Sequence, residues 1–507
     1  MFRLDPKQAT HDHAVTRDAV QQRPAALSKA AQQVIARPAE PTYSAAVISG
    51  LVQVAEAALL AALGMAIHAL YVGGHERPLY LFLTLATVAV ANITLNGART
   101  HRIATYRTLA RQLLRVLAAW SLTFTVLAIG LVLLKSADMV SRVWLVSWYA
   151  TGAILLVAFR LVLRLLIRHW TRDGRLKLRT VVVGGGNDAM ALIEGIRNSA
   201  GNDILLLGLF DDRLDERSPG VVAGLHKLGR VSELAEFVRR TRVDLVIVSM
   251  PLSAETRVLD MLKQLWVLPV DIRLSAHMSK LRFTRRAYSY VGSVPVFDVL
   301  DRPITDWNLV FKWVFDKTVA ILALGMLWPV MLATAVAIKL DSKGPVLFRQ
   351  KRQGFNNEII EIYKFRSMYT DQQDLTASRL VTRGDPRVTK VGQFIRRTSI
   401  DELPQLFNVL KGDLSIVGPR PHAMEAKAAN QLYYEAVEGY FARHRVKPGI
   451  TGWAQIHGWR GETDTVDKIM NRVNADLHYI ENWSILLDVY IVLMTPISLL
   501  TRRENAF

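Results

Sequence analysis

The chain of 507 residues contains no cysteine. That excludes a disulfide framework and any zinc or iron–sulfur site built on thiolates, and it fits a reducing compartment. Acidic residues are scarce against basic ones: 44 Asp and Glu face 63 Lys and Arg, a net charge of +19. So basic a chain implies anionic partners, either phosphates, anionic lipid headgroups or nucleic acid. An interleaved aromatic stacking platform is missing, which argues against nucleic acid. The first forty residues hold no sustained apolar run, so no cleavable signal peptide is expected. "QQRPAALSKAAQQVIARPAEP" reads as polar and mobile, and residues 1–42 are expected to form a disordered cytoplasmic tail.

Apolar residues are abundant, at 51% of the chain, and mean hydropathy is +0.19. Both values point to membrane segments. Four runs, about Ala45–Tyr71, Leu79–Ile93, Val116–Leu134 and Val143–Phe159, come close to the ~20 residues a spanning helix needs. Arg99, Arg102, Arg107, Arg111 and Arg115 lie between the second and third. Arg160, Arg164, Arg168, Arg172, Arg175, Lys177 and Arg179 follow the fourth. The loops "GGHERP" and "KSADMVSR" carry little charge. The positive-inside bias therefore places the tail, the middle loop and everything after residue 170 in the cytoplasm.

"RTVVVGGGNDAMALIEGI" reads as strand, glycine turn and helix, with Gly184, Gly186 and Ala189 at a G-x-G-x-x-A spacing. Asp211 and Asp212 stand where a ribose-binding acid would lie. "VDLVIVSMP" and "LPVDIRLS" read as further buried parallel strands. A Rossmann-like domain is expected over residues 178–300. Such a glycine turn also occurs in domains that bind nothing, and a structural or regulatory role is preferred to a bound dinucleotide.

"AILALGMLWPVMLATAVAIKLDSKG" is apolar enough to cross a bilayer but has Pro329 at its centre. Lys312 and Lys317 precede it; Lys339, Lys343, Arg349, Lys351 and Arg352 follow. A full span would put one basic cluster outside, whereas a hairpin broken at Pro329 keeps both ends in the cytoplasm. A re-entrant helix over residues 312–340 is expected, an ordinary fifth span being the alternative. "WSILLDVYIVLMTPISLLTRR" reads as an interfacial helix or a buried core helix.

Chemistry concentrates after Asp341. The adjacent acids Asp401 and Glu402 follow Arg396 and Arg397 and precede "GPRP", which carries Arg420. Ser399 is a candidate helix cap beside them. Arginines match phosphate oxygens in paired geometry, and a carboxylate among cations is expected to keep a low pKa. By the residues alone this is Mg²⁺-assisted phosphoryl chemistry at a membrane surface. His422, His444, His457 and His478 lack metal-ligand spacing, so ordinary polar contacts are expected of them.

"SKGPVLFRQKRQG", "KFRSM", "SIDELPQLFNVLKGDLSIVGPRPH" and "KPGITGWAQIHGWRGETD" resemble the catalytic domain of bacterial polyprenyl-phosphate glycosyl-1-phosphate transferases. The front of the chain resembles the long-form members that start exopolysaccharide repeat units. The resemblance implies a multidomain membrane protein. Its parts would be a four-helix transmembrane bundle (43–170), a Rossmann-like, CoA-binding-like α/β domain and an α-rich catalytic domain (305–507) with a re-entrant hairpin. It further implies that a UDP-sugar, UDP-glucose by the "GWRGETD" match, binds with Mg²⁺. Asp401 would attack the sugar-bearing phosphorus and release UMP, and undecaprenyl phosphate would then take the sugar phosphate. Asp401 and Glu402 are thus the catalytic and metal-binding candidates. Lys364, Arg366, Arg420, Arg460 and Gln455 are candidate substrate contacts, and Arg396 and Arg397 are weaker ones. Gly449 and Gly452 would let backbone approach a ligand, a tight structural turn being the competing reading. Asp476 matches a family acid and reads equally as a structural ion pair. A homodimer through the middle domain rests on the resemblance alone.

Two other functions fit parts of the pattern. A membrane-bound nucleotide-sugar dehydratase or oxidoreductase would need a second dinucleotide fingerprint and a Tyr-x-x-x-Lys pair, and neither occurs in the last 200 or so residues. A non-catalytic scaffold leaves the dense charged motifs after Asp341 unexplained.

Overall fold

A computed structural model describes residues 27–37, 42–73, 77–101, 109–199, 203–213, 220–250, 255–275, 289–291, 294–370, 385–422, 427–428, 431–433, 437, 439–459 and 465–501. The chain divides into two compact units, one made of residues 40–178 with 201–205 and the other of the remainder.

The first unit holds α2 (Ala45–Ile67), α3 (Arg77–Gly97), α4 (Leu109–Leu133) and α5 (Arg142–Arg172), after a short α1 (Lys29–Ala36) that belongs to the second unit. Among the described residues five helices are long and apolar enough to cross a membrane, and four of them are α2 to α5. Trp120, Trp144 and Trp148 fill their core. Buried indole N–H groups need acceptors: Trp144 donates to the Gly64 carbonyl (2.8 Å) and Trp148 to that of Leu60 (3.1 Å). Gly64 and Gly152 make room, since a Cβ would lie 2.7 Å from Trp148 or 2.6 Å from Trp120. The helices outrun their apolar stretches. α5 continues through the arginine-rich turns to Arg172, because arginine is a good helix former. Arg160 turns inward to Glu56 (2.7 Å), which also meets His101 (2.6 Å).

In the second unit, one sheet is built from β1 (Leu178–Val183), β2 (Ile204–Phe210), β3 (Val221–Val222), β4 (Leu225–Gly229), β5 (Leu245–Val248), β6 (Asp271–Ser275), β7 (Ser289–Val291) and β8 (Val294–Leu300). The spatial order is β3-β4-β2-β1-β5-β6-β8-β7, with α6 (Asn187–Arg197), α7 (Leu234–Arg240) and α8 (Glu255–Leu265) between strands in the chain. β1 and β5, β5 and β6, and β2 and β4 pair in parallel, while β8 runs antiparallel to β6 and β7. The strands are apolar on both faces, as a covered parallel sheet requires. Gly184 has φ +97°, and a Cβ there would lie 2.8 Å from the Ser249 carbonyl oxygen. The glycine turn is thus needed for packing against β5. Asp211 accepts from Arg213 (3.2 Å), which also donates to the Gly185 carbonyl (3.1 Å), and Asp212 accepts from the Val231 N–H (2.9 Å). Both acids expected at a ribose already serve the protein.

The expected disordered tail is corrected over its last part. Residues 29–36 are helical, and Ser28 caps them by accepting from the Ala31 N–H. Leu27, Ala31, Val34 and Ile35 fall on one helical face and join the core of the sheet domain. That spacing was hidden among charged and small residues. Residues 1–26 and 38–41 lie outside the described ones.

The C-terminal part begins with α9 (Asp306–Asp341), which stays helical through Pro329 rather than breaking there. The hairpin β9 (Leu347–Gln353) and β10 (Ile359–Phe365) follows. Next come α10 (Lys390–Arg397), α11 (Gln405–Lys411), β11 (Ser415–Val417) paired in parallel with β12 (Gly449–Thr451), α12 (Val466–Glu481) and α13 (Ile485–Thr501). Lys312 and Lys317, expected as the basic cluster before the apolar run, turn into the protein. Lys312 is buried against Asp488 (2.6 Å) and the Val417 carbonyl (2.9 Å), and Tyr479 donates to Asp488 as well (2.8 Å). Lys317 donates to the Val409 carbonyl (2.9 Å) and to that of Leu410, near the C-terminus of α11. Asp488, an interruption in the apolar sequence, is therefore the buried anchor of two helices. α13 buries Asp488 and Ile491 and leaves Leu486, Leu493 and Ile497 exposed.

Candidate active site

The site forms where three backbone elements converge. After α10 the chain reverses at Ser399 (φ +58°) and makes a single turn, Ile400–Glu402. Ser399 makes no side-chain capping bond there, contrary to expectation, because it occupies the left-handed conformation. β10 delivers Lys364, and the loop after β11 delivers Arg420. That loop is held by paired backbone bonds, Gly418 N–H to Thr451 and Gly449 N–H to Pro419, both 2.9 Å. A Cβ on Gly449 would lie 2.1 Å from the Gly418 nitrogen, and one on Gly452 would lie 2.3 Å from its carbonyl oxygen. These glycines admit backbone, not the expected ligand.

Glu402 is buried and takes Lys364 Nζ on Oε1 (2.9 Å). The Arg420 guanidinium forks onto both its oxygens, Oε2 at 3.1 Å and Oε1 more closely. Facing this carboxylate raises the Arg420 pKa. Asp401, next in the turn, has no hydrogen bond to its carboxylate among the described residues. Burial pushes its pKa up to about 6, Lys364 opposes the rise and Glu402 adds to it. The expectation of a low pKa is thereby corrected: loss of water outweighs the cations. At neutral pH Asp401 is still mostly ionised, and its carboxylate carries no hydrogen bond among the described residues. Arg352, Ile362, Lys364, Glu402, Gln405, Arg420 and Pro421 line the cleft.

A second buried layer supports Arg420. Arg443 donates to the Arg420 carbonyl (2.7 Å) and pairs with Asp476 (2.6 Å). Asp476 is therefore an ion-pair partner inside the protein. His422 contacts Tyr440 Oη (2.8 Å), and burial, reinforced by Arg443, holds His422 and His444 well below the usual histidine range. Arg472 donates to the Trp459 carbonyl (2.7 Å), one residue before Arg460.

The structure thus gathers Asp401, Glu402, Lys364 and Arg420. Arg366 is corrected: it is 2% exposed and donates to the carbonyls of Ser342 (2.7 Å) and Lys343 (2.8 Å), closing the C-terminus of α9. It has no access to a phosphate. Gln455 is turned to the Ile450 carbonyl (3.4 Å) and lies outside the cleft lining, its Oε1 buried without a partner. Arg460 and the rest of "RGETD" lie outside the described residues. Gln405, Arg443 and Arg472 were missed, and Arg352 was read only as one of a basic cluster. A signal for Arg352 existed in the alternation of the hairpin: Gln350 pairs with Ile362 and Arg352 with Ile360, which places Arg352 on the face of Lys364.

The family described as bacterial sugar transferase matches residues 307–502, and a CoA-binding domain family matches residues 99–276. The UDP-glucose:undecaprenyl-phosphate glucose-1-phosphate transferase of Escherichia coli is 37% identical over 421 residues, 82% of this chain and 88% of that protein. The chain belongs to the bacterial sugar transferases. The undecaprenyl-phosphate glucose phosphotransferase of Komagataeibacter xylinus is 41% identical over 350 residues, 69% of this chain and 64% of that protein. An Aeromonas hydrophila N-acetylgalactosaminephosphotransferase using undecaprenyl phosphate is 46% identical over 187 residues, 37% of this chain. A stretch of that length is therefore shared by sugar transferases of different sugar choice. Likeness over four-fifths of the chain is found with a glucose relative.

Proposed function

We infer that the protein transfers glucose-1-phosphate from UDP-glucose to undecaprenyl phosphate, releasing UMP, at the first membrane step of exopolysaccharide repeat-unit assembly. The observation that carries this reading is the pair of adjacent carboxylates with opposite situations. Glu402 is neutralised by Lys364 and Arg420, while Asp401 is unbonded and mostly ionised. The first shapes a basic cleft for a diphosphate, and the second is free to attack.

Asp401 Oδ bonds to the glucose-bearing phosphorus while the bond to the bridging oxygen breaks, and UMP departs with that electron pair. A phosphate oxygen of the lipid then bonds to the same phosphorus, and the Asp401–phosphorus electron pair returns to the carboxylate. Splitting the transfer keeps two anionic substrates from having to meet at once. Lys364 and Arg420 stabilise the charge on the phosphoryl oxygens.

Among the described residues no cluster of three acids or histidines could hold a metal by itself. The donors fit Mg²⁺ bound chiefly by substrate phosphates and one carboxylate, which is that ion's habit. Asp401 is the carboxylate without a competing bond, and Glu402 would join by loosening its cations. When bound, Mg²⁺ would neutralise diphosphate charge.

The catalytic part is proposed to work at the cytoplasmic face of the inner membrane, with α9 entering and leaving on that side. Roughly 30 Å of straight helix separates Lys317 from Ile338. Yet Lys317 reaches Val409, while Ile338 packs with Phe365 and Ile395 beside Leu403, only two turns earlier in the same region. A bend at Pro329 reconciles these contacts. The exposed Trp313, Leu322, Met326 and Trp328 would meet lipid. The deciding experiment incubates the full chain in nanodiscs with Mg²⁺, undecaprenyl phosphate and a panel of UDP-sugars. UMP release should be greatest with UDP-glucose, and release with no UDP-sugar would refute the reading.

A further inference from the structure

Three cations line the cleft together with Glu402, the residue that follows Asp401 in the turn, and they differ in their commitments. Lys364 and Arg420 both bond Glu402. Arg352 donates through Nε (3.2 Å) and a terminal nitrogen (2.7 Å) to Oε1 of Gln350, a neutral amide on its own strand. Burial and the neighbouring Arg420 lower its pKa to about 10, so its guanidinium stays charged at neutral pH. An arginine so placed can take an anion without first giving up a carboxylate.

The proposed reaction supplies two such anions in succession. In a displacement at phosphorus the attacking and leaving oxygens lie roughly in line. With Asp401 on one side, the opposite side holds the phosphate of UMP as it leaves and then the phosphate of the lipid as it attacks. Both need the same position, one after the other.

We propose that Arg352 holds that position, binding first the departing phosphate of UMP and then the phosphate of undecaprenyl phosphate. One cation then serves the leaving group of the first step and the nucleophile of the second. This rests on the covalent reading above. The planar fork of arginine suits both groups, since each presents a phosphate oxygen pair.

The test uses the full-length protein in nanodiscs and its Arg352→Gln and Arg352→Lys variants. UDP-glucose labelled in the sugar is supplied without lipid, and label on the protein is followed. Undecaprenyl phosphate is then added, with and without UMP. In the unaltered protein UMP should compete with the lipid in the second step. Arg352→Gln should slow both adduct formation and transfer of label to the lipid roughly 10- to 100-fold, and should raise the UMP needed to halve lipid-linked label, which UMP diverts back to UDP-glucose, by a similar factor. Arg352→Lys, which keeps charge without the fork, should fall between. If Arg352→Gln slows only one half-reaction, or leaves inhibition by UMP unchanged, the shared position is wrong. Should the glutamine variant fail to fold, the lysine variant decides on the same three readouts. An unaltered enzyme that makes lipid product but never carries label overturns the covalent reading instead, whatever Arg352 does.

Discussion

Asp401→Asn should abolish turnover and make the protein more stable. The carboxyl sits at about 6 in the folded protein against an ordinary 3.8, chiefly because burial strips water from its charge. Between those values the native state binds the proton more tightly than the unfolded chain does, so stability falls as pH rises from about 4 to about 6. The full difference corresponds to roughly 3 kcal/mol, at 1.36 kcal/mol for each tenfold change in proton affinity. Asp401 is only half-buried, and screening by water reduces this to about 1–2 kcal/mol. Asparagine carries no charge and escapes the penalty. Thermal unfolding of both forms at one scan rate should therefore show the variant melting roughly 2–8 °C higher at pH 8. Near pH 4 the two should converge. UMP release by the unaltered enzyme should fall roughly tenfold between pH 7 and pH 5, as the carboxylate is protonated. Equal melting temperatures at pH 8, or a gap as large at pH 4 as at pH 8, would show that Asp401 carries no burial penalty.

Two further outcomes follow from the packing. Arg366→Gln should lower stability by about 2–4 kcal/mol, because the carbonyls at the end of α9 lose their charged donor. The KM for UDP-glucose in the protein that survives should be unchanged, and a raised KM with normal melting would restore Arg366 as a substrate contact. Impermeant thiol labels on single cysteines placed at Asp306 and at Ser342 should report the same side of the membrane. Opposite sides would make α9 a full span.

The long apolar runs and the glycine turn were readable along the chain, since they depend on spacing among neighbours. The strand pairs and the partners of isolated charges were not. Lys312 and Asp488 are 176 positions apart, and each looked like a surface charge or a flaw in an apolar run. Their meaning came only when α9 and α13 were brought together. Arg366 illustrates the same limit: among phosphate-like motifs it resembled a substrate ligand, but the carbonyls of Ser342 and Lys343 take its bonds. The docking face of α1 was spelled out at Leu27, Ala31, Val34 and Ile35, yet the polar residues between them masked it.

By itself the sequence determined the chemical inventory: which segments prefer lipid, where the cations gather, and which two acids stand together. Those follow from composition and local spacing, which a linear chain displays in full. Only the tertiary structure decided how that inventory is divided. It gave Glu402 two cations and left Asp401 with none bonded, and it turned Arg366 inward and Arg352 toward the cleft. The physical reason is that burial and pairing depend on distance through space, and β10, the Ile400–Glu402 turn and the loop after β11 meet only when folded.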